Sequence, residues 1–300
     1  MRILHVDTGR ELRGGQRQVL LLLNGLRAAG EECTLLARAS SPLFESATEA
    51  GFPVYPVGLR TLRLHSRSAD LVHAHDARAH TLAALSVRAP FVVSRRVAFP
   101  LKRSLLSQWK YRQASRFLAV SRFVAAELER AGLAQNKIDV VYDGVQDVTA
   151  AVWSPTHPAV ALASHDPAKG RDLIAEAARL ANISVTYSND LPNDLTRASM
   201  FLYITRAEGL GSAALFAMAM GIPVIASDVG GLPEAVGFGE AGLVTANDAP
   251  KIAAAITRLR EDSSLAQTLI EQGKKRVAEC FTAQRMVENT FASYRRTLAV

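Results

Sequence analysis

Short aliphatic runs alternate with amphipathic, helix-period segments along all 300 residues, and that alternation restricts the chain to one fold class. "MRILHVD" reads as a buried strand. Gly14-Gly15 then open a segment in which Val19, Leu22, Leu23 and Leu26 fall at helical spacing, and Gly30 stops it. "EECTLLARA", "FPVYPV", "ADLVHAHD", "PFVVSRR", "RFLAV" and "KIDVVYDGV" continue the strand pattern. Between them lie helix patterns near 42–50, in "ARAHTLAALSVR", in "SLLSQWKYRQAS" and in "RFVAAELERAG", the last with Ser121 placed to cap it. After the polar, proline-bearing "QDVTAAVWSPTHP" the alternation restarts. Its strands are "AVALAS", "ISVTY", "MFLYI", "PVIAS" and "GLVT", with helices over Lys169 to Leu180, 212–220, 231–237, 248–261 and 264–279, and a last one over 284–298. Strands that alternate with helices build parallel sheets covered on both faces. The expectation is an α/β protein of two doubly wound, Rossmann-like domains facing a cleft: 1–146 and 147–283, with the terminal helix 284–300 packing back on the first.

Charge is uneven along the chain. Residues 1–150 hold 21 lysines and arginines against 13 acids, and residues 151–300 hold 14 against 15. The excess concentrates between Arg95 and Arg130, around Leu105, Leu106 and Trp109. Arg95, Arg96, Lys102, Arg103 and Trp109 are therefore candidates for an acceptor or an anionic surface, such as a membrane. A solvated basic face is the other reading. No nucleic-acid-binding motif accompanies the charge, so nucleic acid is not an expected partner. The longest aliphatic run, Val19 to Leu23, is far too short to cross a bilayer. The first residues lack the pattern of a signal peptide. Cys33 and Cys280 have no metal spacing. A cytoplasmic protein, in peripheral contact with the inner face of the membrane, is the expected setting.

Ligands of doubly wound sheets sit at the carboxyl ends of strands, so the chemistry should lie in strand-to-helix loops. Gly14 and Gly15 offer free N–H groups at a helix start, where an anion is favoured. His73, His75 and Asp76 end a strand. The two imidazoles share one face and suit contact with a sugar hydroxyl, proton transfer or packing at the strand end. A metal pair is not expected, because no third ligand is evident beside them. Lys169-Gly170 opens a helix and puts a point charge where a phosphate would lie, or is an ordinary surface lysine. Glu208 precedes the Gly209-Leu210-Gly211 loop, where it either accepts hydrogen bonds from a ligand or caps the next helix.

Taken together, "RGGQRQVLLLLNGLRAAG", "ADLVHAHDARAHTLAAL", "AVSRFVAAELERAG", "VVYDGV" and "EGLGSAALFAMAMGIPVIASDVGGLPEAV" resemble the family 4 retaining glycosyltransferases of the GT-B fold, in order and over most of the chain. The resemblance implies transfer of a sugar from a nucleotide diphosphate sugar to a saccharide or lipid-linked acceptor, with retention, without an essential metal and with no cofactor beyond the donor. It implies that Gly14 and Gly15 face the donor diphosphate, that His75 lies close to the transferred sugar, that Lys169 holds the diphosphate, and that Glu208 binds the donor sugar beside Gly209, Leu210 and Gly211. His75 and Glu208 would carry the catalysis.

The chain departs from that pattern at donor-binding positions. The family's second glutamate, which binds the ribose, is replaced by Phe216, and the arginine five residues before the lysine by Ser164. The stretches from Leu180 to Met200 and from Val57 to Ala69 are short, which implies a reduced sheet edge and a lost helix. Three functions stay open: a glycosyltransferase of cell-envelope or other glycan synthesis, a catalytically impaired binding or scaffolding subunit on the same fold, and a related nucleotide-sugar epimerase.

Overall fold

In the computed structural model, which describes residues 1–101, 104–164 and 166–299, the chain divides into two compact units, Met1–Gly144 with Ala283–Val300, and Val145–Thr282. Each is built on one parallel sheet.

The first unit runs β1 (Arg2–Val6), α1 (Gly14–Ala28), β2 (Glu32–Ala37), α2 (Pro42–Glu49), β3 (Val54–Pro56), α3 (Leu59–His65), β4 (Leu71–Ala74), α4 (Ala77–Ser86), β5 (Phe91–Arg95), α5 (Leu105–Gln113), β6 (Arg116–Ala119), α6 (Arg122–Arg130) and β7 (Ile138–Val140). Its strand order is β3-β2-β1-β4-β5-β6-β7. The chain winds outward from β1 to β3, then returns to the other side of β1, so the order reverses between β1 and β4. There the register pairs His5 with His73 and Val6 with Ala74. Helix α1 buries Val19, Leu22, Leu23 and Leu26 against the sheet. Each such side chain contributes roughly 1.5–3 kcal/mol. Ser121 caps α6 through the Val124 N–H. The short stretch between Val57 and Ala69 holds a two-turn helix, α3, which buries Leu62.

The second unit runs β8 (Ala159–Leu162), α7 (Arg171–Leu180), β9 (Val185–Ser188), α8 (Leu191–Leu195), β10 (Met200–Tyr203), α9 (Ser212–Met220), β11 (Val224–Ser227), α10 (Leu232–Ala235), β12 (Leu243–Thr245), α11 (Ala249–Glu261) and α12 (Ser263–Cys280). Its order is β12-β11-β10-β8-β9, and the reversal falls between β8 and β10. Two expected helices start or end differently. Helix α7 begins at Arg171, because Gly170 turns left-handed at φ 59° and leaves Lys169 in a preceding 3-10 turn. The segment 231–237 yields only the short α10, which gives way to a tight turn where Phe238 adopts φ 55°.

Helix α13 (Ala283–Leu298) belongs to the first unit. Ser293 Oγ donates to Asp139 at 2.7 Å, and Tyr294 is fully enclosed with its hydroxyl 2.6 Å from His73 Nδ1. Gly25 of α1 gives it a close approach, since a Cβ there would lie 2.3 Å from Val287 Cγ2. The Gln18 side-chain amide holds Gly144 by both backbone groups, each at 2.9 Å. Among the described residues no helix is long and apolar enough to cross a membrane.

A methyl group on Gly144 would meet Ala283 Cα at 2.7 Å, a main-chain atom with little freedom to retreat. Gly144→Ala should destabilise the chain by about 1–3 kcal/mol. Thermal melting checks this, and an unchanged midpoint would mean that the start of α13 is loosely seated.

Candidate functional site

Two clusters of functional side chains form, one at the strand-order reversal of each unit. In the first unit the loops after β1 and β4 are laced together. Asp76 caps α4 by accepting from the Arg78 and Ala79 N–H groups at 2.8 and 2.9 Å, and also accepts from the Thr8 N–H and hydroxyl at 2.5 and 2.9 Å. Asp7 is buried and accepts from the Gly9 N–H and the Gln16 amide. Burial, and then the neighbouring Asp76 charge, push its carboxyl above the usual carboxylate range. Gly14 and Gly15 begin α1 with no side-chain cap and no acid in the first turn, the arrangement that leaves N–H groups for an anion.

Beneath these loops three imidazoles meet. His5 is 0% exposed, His73 1% and His75 5%. The sequence reading found no third nitrogen ligand beside His73 and His75; the β1–β4 register supplies one in His5, and nitrogens of all three rings lie within 4.8 Å of one another. Four of the six ring nitrogens are already in hydrogen bonds. His5 Nδ1 lies 2.9 Å from His75 Nε2, and His73 bonds Tyr294 Oη at 2.6 Å and Ser94 Oγ at 2.8 Å. His5 Nε2 and His75 Nδ1 have no partner. Desolvation lowers all three pKa values, that of His5 to about 3, so the folded unit holds these rings neutral.

Arg96 was grouped with an exposed basic surface, and the structure places it elsewhere. Its side chain is largely buried, with Nε 3.0 Å from Asp143, Nη1 unpartnered, and Cδ 3.9 Å from where a Cβ on Gly15 would be. It belongs to the loop cluster. Arg95 is also committed, to the Tyr111 hydroxyl at 3.3 Å and the Phe99 carbonyl. Lys110 donates to Ala77 O and Thr81 Oγ, and Arg116 to Asn136 O. Helix α5 buries no residue and exposes Leu105, at 84%, with Leu106, Trp109 and Arg112, and Phe99 before it is exposed as well. Lys102 and Arg103, from the same expectation, lie outside the described residues.

In the second unit the structure brings Lys169 and Glu208 together. Lys169 Nζ donates to Glu208 Oε2 at 3.0 Å, the Tyr203 hydroxyl donates to the same oxygen at 2.6 Å, and the Gly209 N–H reaches Oε1 at 3.1 Å. Burial, and then the adjacent carboxylate, raise the Tyr203 pKa well above the ordinary phenol value. The loops after β8 and β10 are tied by Thr205 Oγ1 and the Arg206 N–H, both bonded to Ala168 O. The second glycine turn has a role that the sequence did not show. The Gly231 N–H donates to Glu208 O at 3.1 Å, and a Cβ on Gly230 would fall 2.0 Å from that oxygen. Leu210 and Gly211 are buried in the same loop, and Gly211 leads into α9, which has no side-chain cap.

Phe216 is half-buried and shares a stripe of α9 with Ser212, Ala213 and Ala219, while Leu215 and Met218 are buried. It therefore does not fill the core through a rotated helix. Ser164 accepts from the Asp166 N–H at 3.2 Å and shapes the loop after β8. The sequence reading missed Tyr203, Asp7, Gln16 and His5. Only His5, at alternate spacing from Asp7 in a strand beside the "HAH" strand, carried a signal that could have found it.

A family model described as Glycosyltransferase Family 4 matches residues 12–148, and one described as Glycosyl transferases group 1 matches residues 129–262. A capsular polysaccharide biosynthesis glycosyltransferase of Staphylococcus aureus is 35% identical over 97 residues, 32% of this chain and 26% of that protein. An MMP alpha-(1->4)-mannosyltransferase of Mycolicibacterium hassiacum is 38% identical over 94 residues, 31% of this chain and 23% of its own length. The chain thus spans about a quarter of the curated relatives it matches. HepE of Anabaena, solved with UDP-glucose, superposes with TM-score 0.85 at 17% identity, covering 100% of this chain and 99% of that one. At that identity the likeness shows the fold alone.

The neutral imidazoles set a pH dependence. An unfolded histidine takes up a proton as pH falls through about 6.5, whereas His5, His73 and His75 resist it while folded. Stability should therefore be full above that pH and decline below it, by at most about 1.4 kcal/mol per pH unit for each ring. Melting midpoints between pH 7.5 and 5 measure the slope. A flat profile would mean that the rings are protonated in the fold.

Proposed function

Because the chain belongs to glycosyltransferase family 4, with two Rossmann-like domains of the GT-B type, we propose that it moves a sugar from a nucleotide diphosphate sugar to an acceptor hydroxyl with retention, in cell-envelope or other glycan synthesis. The observation that supports this most is the Lys169–Glu208–Tyr203 cluster at the reversal of the second sheet. It offers a cation for a diphosphate and a carboxylate oriented by a buried tyrosine, a glycine N–H and a clamped main chain. Lys169 would hold the diphosphate; Glu208, with the Gly209–Gly211 loop, would hold the donor sugar. Gly14 and Gly15 would face the diphosphate, and His75 the transferred sugar. In a front-face attack the acceptor hydroxyl meets an oxocarbenium-like sugar, while Gly15, Lys169 and helix N-termini stabilise the departing diphosphate. This scheme asks for no metal and no cofactor beyond the donor. UDP-glucose, present in the HepE structure, is the natural first donor to test.

One observation favours a second reading, a binding or scaffolding subunit with impaired catalysis. Phe216 sits on the half-buried stripe of α9, at the position where the family's carboxylate would accept ribose hydroxyls, and Ser164 carries no charge. Each lost charge-assisted hydrogen bond costs on the order of 1.5–3 kcal/mol. Titration calorimetry with a panel of nucleotide diphosphate sugars, followed by a transfer assay, separates the readings. Phe216→Glu should tighten nucleotide binding by roughly ten- to a hundredfold in a chain that melts normally. Lys169→Ala should weaken donor binding about tenfold or more with a smaller effect on turnover. Tight binding by the wild type that Phe216→Glu leaves unchanged, or transfer indifferent to Lys169→Ala, would sink these assignments.

We also propose that the α5 region, with Arg112 exposed beside Leu105, Leu106 and Trp109, contacts an anionic membrane on the acceptor side. Apolar exposure supports this idea more than charge does, since Arg95, Arg96, Lys110 and Arg116 are engaged within the unit. Vesicle sedimentation should show pelleting with anionic lipid, reduced by Leu105→Ser with Leu106→Ser. Equal pelleting with neutral and anionic vesicles, or none with either, ends the proposal.

A further inference from the structure

The His5–His75 contact has a geometry that fixes where its proton lies. The ring planes differ by only 10°, with centroids 5.2 Å apart and nitrogens 2.9 Å apart. That centroid spacing is what two rings joined end to end through such an N···N distance show, so the bond runs along the in-plane lone-pair direction and is a well-aligned N–H···N hydrogen bond. A metal ion between those two nitrogens would have to spread them, since each metal–nitrogen bond is about 2.0–2.1 Å. His75 is held on its face as well. The His73 ring lies against it at 3.9 Å between centroids, and His73 is itself pinned at both nitrogens by Tyr294 and Ser94.

A neutral ring carries one N–H and one lone pair. One of His5 Nδ1 and His75 Nε2 donates to the other, and the two unpartnered atoms, His5 Nε2 and His75 Nδ1, then carry one N–H and one lone pair between them. If His75 donates, the orphaned N–H falls on His5 Nε2, within β1 on a residue with no exposure. If His5 donates, the N–H falls on His75 Nδ1, which is as enclosed as His5 Nε2 but belongs to the residue just after β4, in the strand-to-helix loop, where a local shift can bring it a partner. Buried N–H groups without partners are the rarer and costlier defect.

We propose that His5 is a positioning residue: its Nδ1–H donates to His75 Nε2 and so keeps the proton of the His75 ring on Nδ1, as a hydrogen-bond donor reserved for a ligand hydroxyl. His75 then serves as a donor and not as a base. Because Nδ1 is enclosed, the ligand reaches it only with a local shift of the surrounding loop. That the hydroxyl belongs to a donor sugar rests on the transferase reading above; the tautomer does not.

The test begins with the wild-type chain at neutral pH and no ligand. Long-range 1H–15N correlation spectra of its seven histidines report the tautomer of each ring, with His75 assigned by the loss of its signals in His75→Gln. Expected are neutral His5 and His75 rings, both protonated on Nδ1. A His75 ring protonated on Nε2, or averaging between the two forms, overturns the proposal. His5→Asn places an amide nitrogen near the position of Nδ1 and should keep the His75 pattern, whereas His5→Leu should lose it. In a transfer assay, His5→Leu should lower kcat about tenfold at nearly constant donor KM, and His5→Asn should recover most of it. A folded His5→Leu chain with wild-type kcat and an unchanged His75 spectrum also overturns it. If His5→Leu does not fold, the wild-type spectrum alone decides. If no donor supports transfer, the transferase reading fails while the spectrum still decides the tautomer.

Discussion

A parallel sheet whose strand order reverses cannot close its own carboxyl edge. The connections on either side of the reversal leave in opposite directions, and the gap between them is floored by strand ends and walled by helix starts. Both sheets here reverse once, between β1 and β4 and between β8 and β10. Asp7 and His75 lie at the first of those gaps, and Lys169 and Glu208 at the second. The core exists to hold the strand ends still. The loops then add their own ties, Thr8 to Asp76 in one unit and Thr205 to Ala168 in the other, so each gap has crosslinked lips.

The two gaps solve opposite electrostatic problems. In the second unit charge is kept and neutralised locally: Glu208 is surrounded by an ammonium, a phenol and an amide N–H. A carboxylate with that many donors needs no further counter-ion, and the ammonium beside it is free to turn toward an anion that brings more charge. In the first unit charge is removed from the histidine floor. Three imidazoles stay neutral because desolvation outweighs protonation, and the nearby Arg96 guanidinium disfavours a further cation on His73 and His75. The first gap therefore sets neutral imidazoles beneath loops that carry Asp76 and the Arg96–Asp143 pair, and the second sets an ammonium directly against a carboxylate.

The strand and helix pattern was legible because burial on both faces of a parallel sheet writes continuous aliphatic runs, and covering helices write a 3.6-residue period. Ser121 was legible as a cap for the same local reason. The site was legible only in part. Glu208 and Lys169 lie in loops after strands with a glycine next to each, and His75 ends an alternating His-Ala-His run, so their neighbourhood could be named from spacing. Their partners could not. His5 meets His75 across 70 positions, and although its place in the first strand was a signal, it is the strand register that brings the two rings together. Gly230 supports Glu208 through a main-chain contact that leaves no side-chain pattern. Arg95, Arg96 and Lys110 looked like an open basic patch because sequence shows charge but not its partners. Lys169 was placed in a helix because Gly170 turns the chain only through its dihedral angles.

The last helix completes the first unit's sheet face. Tyr294 secures the histidine floor through His73, and Ser293 and Arg296 both reach Asp139 on β7. In vectorial synthesis these residues emerge from the ribosome after every residue of the second unit. The first unit must therefore wait, with the face around His73 uncovered, while the second unit, contiguous in sequence, is free to fold as it appears. The order of maturation runs opposite to the order of the chain: the unit made first is finished last. A nascent chain stalled before residue 283 would carry a complete second unit and an open first one, with the burial surface of Tyr294 offered to chaperones.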